Sequence, residues 1–345
     1  MDLGKIPPHD IDAEQAVIGS MLTDKEAVNA AIAHAASNGG GTVGVPAGEY
    51  KVYDLETKTI INAKPRGVMR IKSSAPKVGD YVDYSVIDEN NAIIEKIHER
   101  HNDLIRPYIC NIDQAFVIFS VKEPDLNLNL LDKFLVTLEF NDITPIIIFN
   151  KWDLLKDEEV KDVNSIIKYY ESIGYKTIIT SCQSLELSDL KTYLKDKVSV
   201  FTGQSGVGKS SLLNLIDPTL LIETNEISLA LGRGKHTTRH VELLNVADGW
   251  VADTPGFGTI DFEGMEKIDL AQNFVEFFKH SSECKYNGCL HINEPNCKVK
   301  ELVENKTILS SRYENYLTFI NDIGKDKKEY DSSPINSNSK RRRKK

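Results

Sequence analysis

The sequence lacks any long apolar run and contains few cysteines. None of its hydrophobic stretches approaches the roughly 20 residues needed to cross a bilayer. The opening residues, MDLGKIPPHD, lack the basic and apolar regions of a secretory signal. We therefore expect a cytoplasmic protein with no membrane partner. Five cysteines in 345 residues do not suggest the disulfide framework of a secreted protein.

Acidic residues are missing from one segment, although they outnumber the basic residues overall. The net charge is −9, with 51 Asp and Glu against 42 Lys and Arg. Between Lys58 and Lys77 there are six basic residues and no acidic one, and the chain ends in the basic run Lys340–Lys345. Charge alone leaves two interpretations open. One is a nucleic-acid surface, and the other is a solvated face followed by a disordered tail.

The N-terminal segment differs in pattern from the rest of the chain. The length predicts two or three domains. Helical spacing of apolar residues predicts helices over Ala13–Leu22 and Lys25–Ala36. We treat residues 1–40 as an extension and assign no chemistry to them.

Residues 41–104 contain short β-type runs separated by Gly, Pro and Asn. Five short strands with turns between them predict a small closed barrel of the OB type. The predicted strands are Glu49–Tyr53, Thr59–Ile61, Gly67–Ile71, Tyr81–Ile87 and Ala92–Ile97.

Residues 105–262 alternate apolar strands with helical stretches, which predicts an α/β domain with a largely parallel sheet. The predicted strands are Gln114–Ser120, Pro145–Phe149, Lys176–Thr180, Val198–Thr202, Glu242–Asn245 and Trp250–Ala252. The predicted helices are Asn129–Asn141, Val160–Ile173, Ser188–Leu194 and Lys209–Ile216. We expect residues 263–325 to be a helical domain and residues 326–345 to be a disordered basic tail.

A phosphate-binding motif lies between a predicted strand and a predicted helix. The pattern GxxxxGK[ST] is matched by Gly203, Gln204, Ser205, Gly206, Val207, Gly208, Lys209 and Ser210, with Ser211 following. The glycines let backbone N–H groups point at a phosphate chain, and the helix N-terminus adds partial positive charge. Lys209 is expected to reach the β- and γ-phosphates, and the Ser210 hydroxyl to bind Mg²⁺.

A second motif selects the base. Asn150, Lys151, Trp152 and Asp153 form an NKxD sequence directly after an apolar strand. A carboxylate accepts two hydrogen bonds from the N1–H and N2–H₂ edge of guanine, which adenine does not offer. The sequence therefore predicts GTP and GDP as ligands. Ser181 and Cys182 follow the next strand and fit an accessory loop that supports the base.

The third element is a DxxG motif, preceded by a loop rich in Gly and Thr. Asp253 is expected to hold Mg²⁺ through water, and the Gly256 N–H to contact the γ-phosphate. In the preceding loop Thr237 and Thr238 are alternatives for completing the Mg²⁺ shell, and we favour Thr238.

The position after this motif bears on catalysis. Phe257 lies where many GTPases place a glutamine that orients water, and an apolar side chain cannot do this. We therefore expect slow intrinsic hydrolysis. His236 is either a residue that positions water, acting with Lys209 and Thr238 in catalysis, or a residue that contacts a partner or solvent.

Four clustered residues offer soft metal ligands. Cys284, Cys289, His291 and Cys297 supply three thiolates and one imidazole within a polar, turn-rich segment. Four such ligands suit one tetrahedral structural Zn²⁺ and leave no position for a catalytic water.

The order of the motifs is unusual. NKWD precedes the P-loop, whereas in ordinary GTPases the P-loop comes first. NKWD at 150–153, GQSGVGKSS at 203–211, GRGKHTTRH at 232–240, DTPGF at 253–257 and then a Cys/His cluster together resemble the ribosome small-subunit-dependent GTPase A (RsgA) family. The resemblance extends from about Gly41 to Tyr316 and does not include the first forty residues.

The resemblance implies a multidomain α/β protein. Its parts would be an N-terminal OB-type barrel, a central circularly permuted P-loop GTPase domain and a C-terminal helical zinc domain. It also implies GTP hydrolysis stimulated by the small ribosomal subunit, with 16S rRNA binding, late in maturation of that subunit. We expect a monomer. Two other functions stay open on the residues: a nucleotide switch with a protein partner and no RNA, and a nucleotide-binding scaffold without turnover.

Overall fold

The structure is a computed structural model that describes residues 29–35, 50–67, 75–88, 91–104, 108–181, 187–220, 242–253, 262 and 264–323. Clustering of contacts divides the chain into two compact units. Unit 1 contains residues 1–127 and 141–260, and unit 2 contains Leu128–Phe140 together with the chain from Asp261 onward. No helix in the described part of the chain is long and apolar enough to cross a membrane.

The N-terminal part of unit 1 is a closed five-stranded barrel in the order β1-β2-β3-β5-β4. Alternate residues of β2, β4 and β5 point inward, and Val52, Val82 and Ile94 lie fully buried at the centre of the barrel. The strands are β1 (Asn29–Ala35), β2 (Tyr50–Asp54), β3 (Ile60–Pro65), β4 (Asp80–Asp88) and β5 (Asn91–Ile97). Strands β3 and β5 are parallel and the other neighbours are antiparallel.

The barrel begins earlier than the sequence predicts. The helix predicted over Lys25–Ala36 is wrong, because Asn29–Ala35 is strand β1 and pairs with both β2 and β4. Alanine favours helices only weakly as a prior, and pairing with two strand edges overrides such local preference. The strand predicted over Gly67–Ile71 and the helix predicted over Ala13–Leu22 lie mostly or wholly outside the described residues.

One basic residue of the acid-free segment is buried. The ammonium group of Lys77 donates to Asp103 and, at 2.9 Å, to the carbonyl oxygen of Leu104, and Lys77 is 4% exposed. It therefore belongs to the interior, whereas Lys58, Lys64 and Arg66 are exposed. The short strands β6 (Asp103–Leu104) and β7 (Ile109–Cys110) follow in the chain as an antiparallel pair.

The rest of unit 1 centres on a six-stranded sheet in the order β10-β9-β8-β11-β13-β12. All neighbours are parallel except β12 and β13, which confirms the largely parallel sheet predicted from the sequence. The strands are β8 (Gln114–Ser120), β9 (Thr144–Asn150), β10 (Lys176–Ile179), β11 (Val198–Thr202), β12 (Glu242–Val246) and β13 (Gly249–Asp253). Strands β8 and β11 are buried throughout, as expected for central parallel strands.

The helices agree closely with the sequence prediction. The four in the central region are α1 (Leu128–Phe140), α2 (Asp157–Ser172), α3 (Leu187–Leu194) and α4 (Lys209–Ile216). Unit 2 adds α5 (Lys267–Asn273), α6 (Val275–Ser281), α7 (Lys298–Glu304) and α8 (Ser310–Asp322). Its core is aromatic, with Phe274, Phe277 and Tyr316 fully buried against one another.

Helix α1 differs from the sequence-based domain division. We predicted it as part of the domain over residues 105–262, but it clusters with unit 2. Its residue Val136 lies in the core of unit 2, and Phe140 packs against that core. The helix was predicted at nearly the right position, and only its tertiary partners differ from the expectation.

Candidate functional site

The carboxyl ends of the parallel strands bring the predicted nucleotide motifs to one edge of the sheet. Strand β9 ends at Asn150, β10 at Ile179, β11 at Thr202 and β13 at Asp253. Ligands of open α/β sheets bind at this edge, because loops from neighbouring strands converge there. The NKxD motif, the P-loop and the start of DxxG are therefore neighbours despite their separation in sequence.

Two glycines of the P-loop lie where no side chain fits. Gly203 has φ 141° and a Cβ there would lie 2.1 Å from the carbonyl oxygen of Ile118. Gly208 has φ 99° and a Cβ there would lie 2.4 Å from the amide nitrogen of Asn150. Both positions combine a left-handed backbone with close packing, so the loop requires glycine at both.

Lys209 and Ser210 begin helix α4, directly after the loop. The ammonium group of Lys209 donates to the carbonyl oxygens of Gly203 at 2.8 Å and of Gln204 at 2.6 Å, so it spans the loop. Burial lowers the pKa of Lys209. Ser210 lies buried in the first helical turn, and Ser211 is half-buried. Val207 is buried, whereas Ser205 and Gly206 are exposed.

Asn150 joins the two nucleotide motifs. Its side-chain amide donates to the carbonyl oxygen of Val207 at 2.8 Å, and its side-chain oxygen accepts from the Thr180 hydroxyl at 2.8 Å. Asn150 is 1% exposed and Thr180 is 4% exposed. Thr180 was not predicted as a site residue, although its position directly before Ser181 was the available signal.

The residues after Asn150 form a tight turn. Lys151 has φ 60°, and its ammonium group donates to the carbonyl oxygen of Glu123. The Trp152 N–H donates to the Thr180 carbonyl oxygen at 3.2 Å. A short 3₁₀ helix over Trp152–Leu154 leaves Asp153 exposed at the edge of the sheet. This exposure leaves the Asp153 carboxylate accessible to a nucleotide base. Ser181, which follows β10, is buried.

Several predicted residues lie wholly or partly outside the described part of the chain. The backbone of Asp253 is described as the last residue of β13, without its side chain. Cys182, Gly256 and Phe257 lie outside, and so do His236, Thr237 and Thr238. Their roles remain predictions.

The four predicted metal ligands converge in unit 2. Their ligand atoms, three Sγ atoms and the Nδ1 of His291, all lie within 4.8 Å of one another. Nδ1 lies 3.7 Å from Cys284 Sγ and 3.3 Å from Cys297 Sγ, and these two sulfur atoms are 4.0 Å apart. A tetrahedral zinc with its usual bond lengths separates its ligands by about 3.5–3.8 Å, so the residues fit this ion.

The chain is similar in sequence to known proteins. The N-terminal domain model of the RsgA family matches residues 40–94, and the RsgA GTPase model matches residues 97–263. A Small ribosomal subunit biogenesis GTPase RsgA 2 of Oceanobacillus iheyensis is 48% identical over 268 residues, covering 77% of this chain and 92% of that protein. The chain belongs to the RsgA GTPase family. The Small ribosomal subunit biogenesis GTPase RsgA of Bacillus subtilis is 46% identical, with 81% and 95% coverage.

Solved structures agree with the RsgA assignment. YloQ, described as a circularly permuted GTPase, has a TM-score of 0.73 and 38% identity, covering 87% of this chain and 96% of its own. YjeQ from Thermotoga maritima has a TM-score of 0.72 and 32% identity, with 86% and 99% coverage. The fold is thus that of a circularly permuted GTPase of the RsgA family, as the motif order predicted.

The loop that carries the four predicted metal ligands is held by residues that the sequence pattern did not indicate. Glu294 accepts backbone N–H groups from Leu290 at 2.8 Å, Ile292 at 2.8 Å and Asn293 at 3.0 Å. Burial alone would raise the pKa of Glu294, but these hydrogen bonds outweigh burial and lower it. The Tyr313 hydroxyl donates to the His291 carbonyl oxygen at 2.7 Å. These contacts fix the backbone of the loop and thereby orient the side chains of the Cys/His cluster.

The chemical state of the ligands also suits a dication. Burial raises the pKa of Cys289 to about 12 and also raises that of Cys297, whereas burial lowers the pKa of His291. Buried thiolates are costly without a compensating positive charge, and a bound dication supplies that charge. A neutral imidazole is the form that binds metal.

Proposed function

We propose that this protein hydrolyses GTP to GDP and phosphate during late maturation of the small ribosomal subunit, and that the subunit stimulates its turnover. The hydrogen bond between Asn150 and Val207 is the observation that carries the nucleotide part, because it joins the guanine motif to the phosphate loop. The ribosomal part rests on the relatives, which are named as small ribosomal subunit biogenesis GTPases.

Guanine recognition is assigned to the NKxD turn and the accessory loop. Asp153 accepts hydrogen bonds from the guanine edge, and its exposure at the sheet edge supports this role. Asn150, Lys151 and Trp152 fix the turn, and Ser181 with Cys182 supports the base. Asp153→Asn is expected to weaken GTP binding and to relax base selectivity. Equal competition by ATP and GTP for the unmodified protein would contradict this assignment.

Phosphate and magnesium binding are assigned to the P-loop and the two motifs after it. Backbone N–H groups of the loop Gly203–Gly208 and the Lys209 ammonium group bind the phosphates. Ser210, Thr238 and Asp253 are the Mg²⁺ ligands, and the Gly256 N–H contacts the γ-phosphate. Mg²⁺, when bound, neutralises charge on the phosphates. With an apolar Phe257, water positioning is assigned to His236 or to a group of the ribosomal subunit.

One structural Zn²⁺ is assigned to the Cys₃His cluster of unit 2. The distances between the four ligand atoms support it, and the closed ligand set leaves no site for catalysis. Measurement of bound metal should give one zinc per chain. Substoichiometric zinc after purification without chelators, or preference for another ion, would contradict the assignment.

The barrel is assigned to 16S rRNA, with the protein acting as a monomer in the cytoplasm, where subunits mature. Exposed Lys58, Lys64 and Arg66 support an electrostatic RNA surface. Lys77 is left out of this surface because its ammonium group is buried against Asp103.

The deciding experiment is GTP turnover with and without purified small ribosomal subunits. We expect the subunits to raise the rate of GTP turnover clearly. An unchanged rate would contradict the ribosomal function and would favour a nucleotide switch with a protein partner. The double variant Lys58→Glu, Lys64→Glu tests the barrel. It is expected to lose stimulation, while basal turnover stays unchanged.

A matched variant controls for charge. Lys161→Glu with Lys168→Glu places the same charge change on exposed positions of α2. We expect this control to keep its stimulation. Equal loss in both double variants would indicate a general charge effect and contradict an RNA role specific to the barrel.

A further inference from the structure

Helix α1 belongs by packing to unit 2, although both of its chain neighbours belong to unit 1. The chain enters unit 2 after Asn127 and returns to unit 1 at Asn141. Val136 lies in the core of unit 2 with Phe274 and Phe277, and all three are fully buried. Unit 2 is therefore attached to unit 1 through the flanks of α1 as well as through the segment after DxxG.

A buried charge network fixes α1 within unit 2. The guanidinium of Arg312 on α8 donates to Asp132 on α1 at 2.6 Å and to Glu276 on α6 at 2.8 Å and 3.2 Å. Asn315 donates to the second oxygen of Asp132 at 2.7 Å. Arg312, Asp132 and Glu276 are all at most 4% exposed. Separating such groups would leave a charge buried without its partner, which is strongly unfavourable.

The loop before α1, residues 121–127, contacts NKxD and lies beside the P-loop of unit 1. The Glu123 carbonyl oxygen accepts from the Lys151 ammonium group of NKxD. The ring of Pro124 lies 4.0 Å from the Cβ position at Gly206 of the P-loop. Lys122 donates to both carboxylate oxygens of Glu159, at 2.7 Å and 2.8 Å.

The contact with Glu159 ties the loop to the segment after NKxD. The Glu159 carboxylate also accepts the Lys156 N–H at 2.9 Å and so caps the start of α2. The loop is thus hydrogen-bonded to Lys151 and to Glu159 at the start of α2, and it lies beside the P-loop. It runs directly into α1, which begins at Leu128.

We propose that residues 121–127 and α1 couple nucleotide binding to unit 2, with Lys122 and Asp132 as positioning residues at the two ends of this connection. A bound nucleotide that orders the P-loop and NKxD also orders residues 121–127. Because Arg312 of α8 bonds both Asp132 of α1 and Glu276 of α6, a shift of α1 is passed on to α6 and α8. Coupling is reciprocal, so a loosened α1 also weakens nucleotide binding. This inference rests on nucleotide binding at the proposed site and does not require the ribosomal function.

The test uses the full-length, zinc-loaded protein and a fluorescent GDP analogue. Asp132→Asn keeps the shape of the side chain but removes its charge. We expect GDP affinity to fall at least about fivefold, the lower end of usual coupling factors, and this loss to appear as faster GDP release. Lys298→Ala is the matched control, because it breaks an exposed ion pair with Glu301 in the same unit. Its GDP release should stay unchanged.

A second variant changes the connection at Lys122, in unit 1. It keeps the proposal testable if Asp132→Asn fails to fold. Lys122→Met removes the bond to Glu159 without touching unit 2, and Lys168→Met is its control on exposed α2. Hydrogen exchange of α1 amides should slow on GDP addition in the unmodified protein. In Lys122→Met this slowing should be lost, while bound zinc stays at the unmodified level.

The outcomes separate coupling from the site itself. If GDP binds but leaves α1 exchange unchanged, or if Asp132→Asn retains zinc and releases GDP at the unmodified rate, the coupling is overturned. Should Asp132→Asn lose zinc, the exchange measurement on Lys122→Met decides. Failure of the unmodified protein to bind GDP would contradict the nucleotide site and the coupling together, whereas absent ribosomal stimulation alone would leave the coupling test intact.

Discussion

Two regions of the molecule are built in different ways. The nucleotide edge is the edge of the sheet that carries NKxD (150–153) and the P-loop (203–210), and the metal loop is the segment Cys284–Cys297. The nucleotide edge gathers segments that are far apart in sequence, and its side chains donate largely to backbone carbonyl oxygens, such as those of Val207 and Glu123. The metal loop takes its ligands from one short stretch, Cys284–Cys297, which contains no helix or strand. The first site rests on a sheet, whereas the second site is a set of side chains that a metal ion would hold together.

This difference predicts which parts tolerate ligand loss. The strands below the nucleotide edge are central and fully buried. The buried aromatic core of unit 2 adjoins the metal ligands directly, since Phe277 packs edge-on against His291. Removal of nucleotide should therefore leave unit 1 folded, and removal of zinc should disturb unit 2.

Removal of zinc is expected to have the largest effect. Structural zinc contributes about 10–16 kcal/mol to the folding of small zinc domains, so chelation should unfold much of the region Lys267–Asp322. Hydrogen exchange measures this directly, and GDP binding by the same sample should persist in weakened form. Re-addition of zinc is the control and should restore protection. If the amides of unit 2 stayed protected from exchange without zinc, the core of unit 2 would fold without the ion. The two sites would then not differ in their dependence on a ligand.

A methyl group at Gly208 is expected to disrupt the nucleotide edge next most strongly. Gly208→Ala forces a left-handed backbone on alanine and brings its Cβ against the Asn150 amide. The combined strain and the lost hydrogen bond to Val207 should weaken GDP binding about 100-fold. Bound zinc should stay unchanged. Titration with fluorescent GDP provides the measurement.

Gly174→Ala is the matched control for this substitution. Gly174 also has a positive φ, 113°, but no atom lies within 4 Å of its Cβ position. It therefore tests backbone strain without the contact to Asn150. Equal loss of GDP binding in both variants would show that strain in unit 1, rather than the geometry of the P-loop, is responsible.

The sequence predicted the nucleotide edge better than it predicted what surrounds it. Strands β8 and β11 and helix α4 agree with the prediction at every residue, because continuous apolar runs and a P-loop define them locally. Strand β1 was mistaken for a helix because its pairing with β2 and β4 is not local. The membership of α1 in unit 2 also depends on tertiary contacts, above all those of Asp132.

The metal ligands were predictable, but their support was not. Four soft ligands at short spacing predict a zinc site from sequence, and the structure brings the four side chains together. Nothing in the sequence marks Glu294 as the acceptor of three backbone N–H groups, because that role depends on the path of the loop. Thr180 is a similar case at the nucleotide edge, where a buried hydroxyl supports Asn150.

Glu294→Gln is expected to have a medium effect on the metal loop. The carboxylate accepts with both oxygens, so a glutamine would turn an N–H₂ donor toward backbone N–H donors. Substitutions that disturb the support of metal ligands typically cost 10–100-fold in affinity, and we expect about tenfold weaker zinc binding. Competition with a chelator measures it. Glu301→Gln, at an exposed position in the same unit, should leave zinc affinity unchanged.

Thr180→Val is expected to have the smallest effect. It tests how far the nucleotide edge depends on a single buried side-chain hydroxyl. Valine keeps the shape of threonine but leaves the Asn150 side-chain oxygen, which is buried, without the hydroxyl that donates to it. A net loss of about 1 kcal/mol corresponds to roughly fivefold weaker GDP binding. Thr177→Val on the same strand removes a hydroxyl that faces Glu171 instead, and should bind GDP normally. If Thr180→Val also bound GDP normally, the bond from the Asn150 side chain to Val207 would position NKxD without Thr180, and the buried hydroxyl would be dispensable for the nucleotide site.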